Sequence, residues 1–250
     1  MPPLGLHMTI ARQLAADLAS PAIDADRGAY YLGATTPDIR VLTKWDRERT
    51  HFFSLDDFGE QSGVHRLFES EPGLRNAAAL DAPTTAFMAG YISHLVLDES
   101  YICQIYRPLF GATSDLAEDL MSNLMDRVLQ YELDRHDRED ETAVTEIRDA
   151  LAESAVEVSI GFIGRDTLLE WRGVATSILD HPPTWERFGR IATRHLAAAG
   201  VEGEERVAQF VSEVPVLLQR TIDHVGEERI HEYLHSAKDN ARAAMKEYLS

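Results

Sequence analysis

The stretch from Ala82 to Tyr106 limits what this chain can fold into more than any other. It is apolar almost all round, with Phe87, Met88, Tyr91, Ile92, Leu95, Val96, Leu97, Ile102 and Ile105. A helix of that kind belongs in the middle of a bundle rather than on its surface. Within it, His94 and Asp98 stand four residues apart and therefore share one helical face, one turn apart. No Lys or Arg occurs from Asn76 to Tyr106, so a buried Asp98 has no local cation, and burying an unpaired carboxylate is costly. Something from elsewhere must neutralise it. A divalent metal does so well, because an imidazole nitrogen and a carboxylate oxygen one turn apart converge on a single ion. The plainer alternative is a core histidine bonded to its own aspartate.

Elsewhere apolar residues also recur at helical spacing: Leu6, Ile10, Leu14 and Leu18, then Leu120, Leu124, Val128 and Tyr131, later Val207, Phe210, Val211 and Val214. Stops at Ser20-Pro21, Pro72-Gly73, Pro182-Pro183 and the Gly200 to Gly203 turn separate helices over 5–19, 26–34, 59–70, 83–106, 115–138, 142–155, 165–179, 183–198, 204–224 and 227–248. Residues 40–58 carry neither helical nor strand period and read as a loop crossing the bundle. The expected fold is an all-α multi-helix bundle. It forms a single domain over 1–250, with 1–110 as the metal-site core and 111–250 completing the bundle.

Charge excludes some functions. Against 24 basic residues stand 42 acidic ones, a formal net charge of −18, whose field repels phosphate backbones and anionic lipid surfaces. Nucleic-acid binding through a basic face and stable membrane association are not expected. No segment reaches the roughly 18 apolar residues of a membrane span. His7, Arg12, Gln13 and Asp17 break what would have to be an unbroken apolar signal region. The single cysteine, Cys103, has no intramolecular partner and reads as a small buried hydrophobe. A cytoplasmic protein is expected.

Several polar residues stand out beside His94 and Asp98. Asp38 follows Pro37, His51 precedes the pair Phe52 and Phe53, and His7 lies on the stripe of Leu14 in the first helix. Taken singly, each has an ordinary reading as a turn residue or a satisfied structural histidine. His224, His231 and His235 lie among acidic residues and read as an exposed helix face. The adjacent pair His136-Asp137 matches the dipeptide of the HD phosphohydrolases but sits in a highly charged stretch. Trp45, Trp171 and Trp185 read as packing residues, with Trp45 a candidate for the rim of a pocket.

Order gives these residues more weight. The succession of His7, Thr-Pro-Asp38, Thr-His51-Phe and Ala-Gly-Tyr-Ile-Ser-His94-Leu-Val-Leu-Asp98 resembles the zinc-dependent phospholipase C family. That family includes bacterial phosphatidylcholine-hydrolysing enzymes, and the succession also resembles the amino-terminal domain of glycosylphosphatidylinositol-specific phospholipase D. The resemblance runs from residue 5 to about 110. It implies that Asp38, His51, His94 and Asp98 ligate one zinc, and that Asp98 bridges to a second ion also held by His7. The family's remaining zinc uses a histidine soon after the bridging aspartate, then a histidine and a glutamate on the next helix. Here Gln104 stands near the first place, and the next helix offers Asp126, Gln130, Glu132 and Asp134. The departure implies one or two zinc ions, or another divalent metal favouring oxygen ligands at a second position.

The implied chemistry is hydrolysis of a small-molecule or lipid phosphodiester by a zinc-activated water that Asp38 orients or deprotonates. The acidic surface favours a soluble or zwitterionic substrate. Two other readings stand beside it: a non-catalytic helical protein that keeps a structural or vestigial metal site, and an HD-type metal phosphohydrolase built on His136 and Asp137.

Overall fold

In the computed structural model, which describes residues 3–117, 119 and 121–250, the chain is built from helices, and no strand occurs among the described residues. The main elements are α1 (Leu4–Leu18), α2 (Arg27–Gly33), α3 (Gly63–Ser70), α4 (Ala82–Tyr101), α5 (Ser122–Asp137), α6 (Glu141–Glu153), α7 (Arg165–Leu179), α8 (Trp185–Ile191), α9 (Thr193–Ala198), α10 (Glu204–Val225) and α11 (Glu227–Tyr248). Leu120 of the second apolar stripe lies outside the described residues, as do Met1 and Pro2.

Helix α4 sits in the centre, as its all-round apolarity predicts, with α2 and α11 packed against it and α1 crossing alongside. Asp81 caps it by accepting from the Thr84 amide at 2.8 Å, and Pro83 fits the first turn, where no amide donor is needed. Phe87, Met88, Tyr91, Ile92, Leu95 and Leu97 are buried, each worth about 1.5–3 kcal/mol of apolar burial. Helices α2 and α4 meet backbone to backbone. A Cβ on Gly33 would lie 1.9 Å from the Phe87 carbonyl oxygen, and one on Gly90 would lie 2.0 Å from that of Tyr30, so only glycine permits this approach. Around this core α6 packs on α2 and α7. A second, smaller apolar cluster joins α5, α8, α9 and α10 through Leu124, Val128, Phe188, Leu196 and Phe210.

The sequence expectations are corrected at four places. The helix expected over 183–198 breaks at Ala192 into α8 and α9. No Gly or Pro stands at that point. The helix expected over 115–138 is regular only from Ser122. The 40–58 crossing contains two single helical turns, Arg40–Thr43 and Glu48–His51. Beyond α4 the chain continues through a wider π turn, Ile102–Tyr106. Such a turn shifts the helical register, and Cys103, expected inside, is exposed.

Candidate metal centre

The site is assembled from four segments around α4. His94 and Asp98 are both fully buried on that helix. The glycine contact with α2 brings the Ala34 carbonyl to 2.8 Å from His94 Nδ1. That bond makes Nδ1 the protonated nitrogen and turns the Nε2 lone pair inward, a tautomer-fixing arrangement common for metal-ligating histidines.

Asp38 lies in the helical turn Thr36–Ile39, where the Thr35 and Thr36 hydroxyls donate back to the Leu32 carbonyl at 2.9 and 2.7 Å. His51 ends the turn Glu48–His51, capped by Phe52 in a left-handed conformation at φ 54°, a backbone state non-glycine residues seldom adopt. The two turns are tied together by Thr50, whose hydroxyl donates to the Pro37 carbonyl at 2.7 Å, while the Tyr91 hydroxyl of α4 donates to the Thr50 carbonyl. His7 comes from α1, its ring stacked on His94 with centroids 3.7 Å apart.

All five residues expected from sequence therefore meet. His51 Nε2 stands 3.4 Å from an Asp38 oxygen and 3.6 Å from an Asp98 oxygen. The ligand atoms of His7, Asp38 and His94, and likewise those of His51, His94 and Asp98, lie within 4.8 Å of one another. Both nitrogens of His7, Nε2 of His51, Nε2 of His94 and Oδ1 of Asp98 are buried without a hydrogen-bond partner. Buried polar atoms are seldom left so, and a divalent cation would satisfy this set of nitrogen and oxygen donors. Burial first, then the neighbouring imidazole, pushes the His7 pKa well below the ordinary histidine value, and burial pushes His94 down to about 4. Both rings are thus neutral near pH 7, as metal ligation requires. Burial alone would raise the Asp38 carboxyl, but its contact with His51 and the surrounding imidazoles hold it well below the usual carboxylate range.

One important group was missed. Arg47, on the crossing loop, donates through Nη2 to Asp98 Oδ2 and through Nη1 to the Phe53 carbonyl at 2.9 Å. Its nearly buried guanidinium is the cation that α4 itself lacks, and Asp98 is not uncompensated in the absence of metal. The signal was the need of Asp98 for a counter-charge together with the basic residues Lys44, Arg47 and Arg49 in an aperiodic segment.

The remaining candidates lie elsewhere. Gln104, displaced by the π turn, accepts from the Ser236 hydroxyl of α11 at 3.1 Å and does not join the cluster. Asp126 and Gln130 are buried on α5 but bond to each other, Gln130 Nε2 donating to Asp126 Oδ2 at 2.8 Å. Among the described residues Asp126 belongs to no group of three ligand-type side chains. His231 and His235 are exposed. His136 is exposed beside Glu139 at 3.8 Å, and Asp137 accepts from the Thr9 hydroxyl at 2.8 Å, so that pair forms no centre of the HD kind. Trp45 stacks under the Arg49 guanidinium at 3.6 Å.

Asp38, alone of the five, also lines a cavity of about 510 Å³ between the first turn of α1, helix α5 and the α8–α9 segment. Residues 6–100, less than half of the chain, match the family model described as zinc dependent phospholipase C. All five clustered residues fall inside that match. No curated protein and no solved structure matches the chain significantly.

Proposed function

Because residues 6–100 carry the pattern of the zinc-dependent phospholipase C family, we propose that this chain is a metal-dependent hydrolase of phosphodiesters. The carrying observation is the group of buried, unpartnered ligand atoms opening through Asp38 onto a cavity of substrate size. His94 Nε2, His51 Nε2, Asp98 Oδ1 and Asp38 are the residues that would hold zinc, with His7 beside them. Since His94 offers one free nitrogen to both triads and Arg47 already neutralises the other Asp98 oxygen, we assign one principal ion rather than a bridged pair. When bound, zinc supplies Lewis acidity that activates water and screens charge developing on the phosphoryl oxygens.

The residues of the chain do the rest. Asp38, the carboxylate of the cluster that reaches the cavity, accepts a hydrogen bond from the attacking water and aims it. Arg47 holds Asp98 ionised and in place. The Ala34 carbonyl keeps His94 in one tautomer, and Thr50 keeps the Asp38 and His51 turns in register. The apolar packing of α2 and α4 shuts bulk water out from behind.

No helix among the described residues is long and apolar enough to cross a membrane. The acidic protein surface suits a substrate met in solution, and we place the protein in the cytoplasm. The test is zinc per chain by mass spectrometry, paired with hydrolysis of bis(p-nitrophenyl) phosphate before and after chelation. Activity that disappears with chelator and returns with zinc supports the assignment; hydrolysis that survives full metal removal overturns it.

A further inference from the structure

The cavity beside Asp38 does not share the charge of the whole molecule. Of the 24 Lys and Arg residues in a chain of net charge −18, five arginines line this one pocket: Arg40, Arg127, Arg138, Arg187 and Arg194. Among the described residues only two carboxylates line it, Asp38 and Asp134, and Asp134 is engaged by Arg138 at 3.4 Å.

The arginines divide by what they already hold. Arg138 gives its terminal nitrogens to Asp134 and to the Ile178 and His181 carbonyls, at 2.9 and 2.7 Å, which leaves its buried Nε without a hydrogen bond. Arg127 gives Nη1 to Gln130 at 2.9 Å and its Nε faces an Asp126 oxygen at 3.9 Å, although that buried Nε makes no hydrogen bond. The Nε of Arg40, two residues beyond Asp38, is likewise buried and unpartnered. The side chains of Arg187 and Arg194 make no hydrogen bond or ion pair with the described residues. Converging guanidinium groups repel one another unless an anion lies between them, and their planar forks match the oxygens of a phosphate. Phe188 and Ile191, on the same helix as Arg187, add apolar surface to the lining.

We propose that this pocket binds a second phosphate group of the substrate, so that the preferred phosphodiester carries an additional phosphomonoester and is not the zwitterion that the global charge suggests. The proposal rests on the hydrolase reading only for where the scissile phosphorus sits. Arg187 and Arg194 grip the second phosphate from α8 and α9, Arg40 and Arg127 supply buried N–H donors, and Asp38 marks the end where the diester is cut.

Binding is measured on the chelator-treated full chain, by titration calorimetry with glycerol 3-phosphate and, separately, with glycerophosphocholine, a zwitterionic phosphodiester that carries no phosphomonoester. Glycerol 3-phosphate is expected to bind more tightly by on the order of tenfold, and the Arg187→Ala/Arg194→Ala variant to lose a similar factor. Arg148→Ala, at a half-exposed site on α6 beside Asp149, serves as the control and keeps wild-type affinity. Equal affinity for the two probes, or affinity unchanged in the double variant, overturns the proposal. Sedimentation with phosphatidylcholine vesicles containing phosphatidic acid separates the sources: arginine-dependent sedimentation competed by glycerol 3-phosphate assigns a lipid headgroup, and solution binding without sedimentation assigns a soluble ester. Failure here is distinguishable from failure of the hydrolase reading. Zinc-dependent cleavage of bis(p-nitrophenyl) phosphate with no anion preference removes the pocket and keeps the enzyme, whereas arginine-dependent binding with no cleavage of any diester does the reverse.

Discussion

Two buried polar clusters draw on helix α4, and they treat their polar atoms in opposite ways. Around His94 and Asp98, nitrogens from three histidines and one carboxylate oxygen are sealed from water with nothing to bond. One turn on, Tyr101 donates to Asp126 Oδ1 at 2.7 Å, Gln130 donates to Oδ2, and Arg127 donates to Gln130. In this second knot each carboxylate oxygen and the amide oxygen has its donor. Both clusters are polar, buried and rich in ligand-type residues, yet only the first asks for a cation. Buried acceptors left without a donor, more than burial or residue type, mark a metal site.

The largest expected effect that tests this contrast comes from Arg47→Ala. In chelated protein it leaves Asp98 as a buried carboxylate without its guanidinium, a loss of about 3–5 kcal/mol. Thermal unfolding should show much of that loss recovered on adding zinc, and an equal loss with and without zinc would mean that no ion reaches Asp98. Next is Asp126→Asn in the closed knot. It disturbs the bonds to Tyr101 and Gln130 and should cost about 1–3 kcal/mol with zinc per chain unchanged. A fall in zinc content would erase the distinction between the two clusters.

Acid sharpens it further. Folded His94 stays neutral down to about pH 4, first because of burial, whereas its ordinary value is 6.5. Between these values the unfolded chain binds more protons, so the stability of chelated protein should fall as pH drops from 6.5 toward 4 and then level off for this group. Asp134 on α5 runs the other way. Burial raises it from 3.8 to about 6, so the folded state binds more protons in that window. Its contribution is complete below 3.8 and is lost as pH rises through 6. Urea unfolding across pH should therefore flatten in His94→Gln and steepen in Asp134→Asn; identical slopes in all three proteins would contradict both assignments. The smallest effect belongs to His231→Ala and His235→Ala, at exposed positions on α11, which should change stability by no more than roughly 0.5 kcal/mol and leave metal content untouched.

Much of this was legible because it is written in local periods. The apolar run around α4 announces a central helix and sets His94 above Asp98, and the order of short blocks brings His7, Asp38 and His51 to them. What was not legible depends on segments without a period or on convergence from separate elements. Arg47 sits in the aperiodic crossing. The cavity arginines come from the turn after Asp38, from within α5 and the residue just after it, and from α8 and α9, and no window of sequence holds them together. Net charge misled for the same reason: it describes the field far from the protein, whereas a ligand in a cleft feels the few groups that wall it. Gln104 and Cys103 were misplaced because a π turn changes register without any Gly or Pro to signal it.

The close contact of Gly33 with Phe87 and of Gly90 with Tyr30 bears on any attempt to transplant this centre. The five ligand-type side chains could be copied onto another helical bundle with their spacing intact, and the copy would still lack a carbonyl at 2.8 Å behind the histidine, because ordinary helices with side chains between them keep their axes about 8–10 Å apart. His94 would then spin between tautomers and rotamers, and the copied nitrogen would point inward only part of the time. The graft that works must carry two hydrogen atoms in place of two methyl groups, at positions that touch no metal.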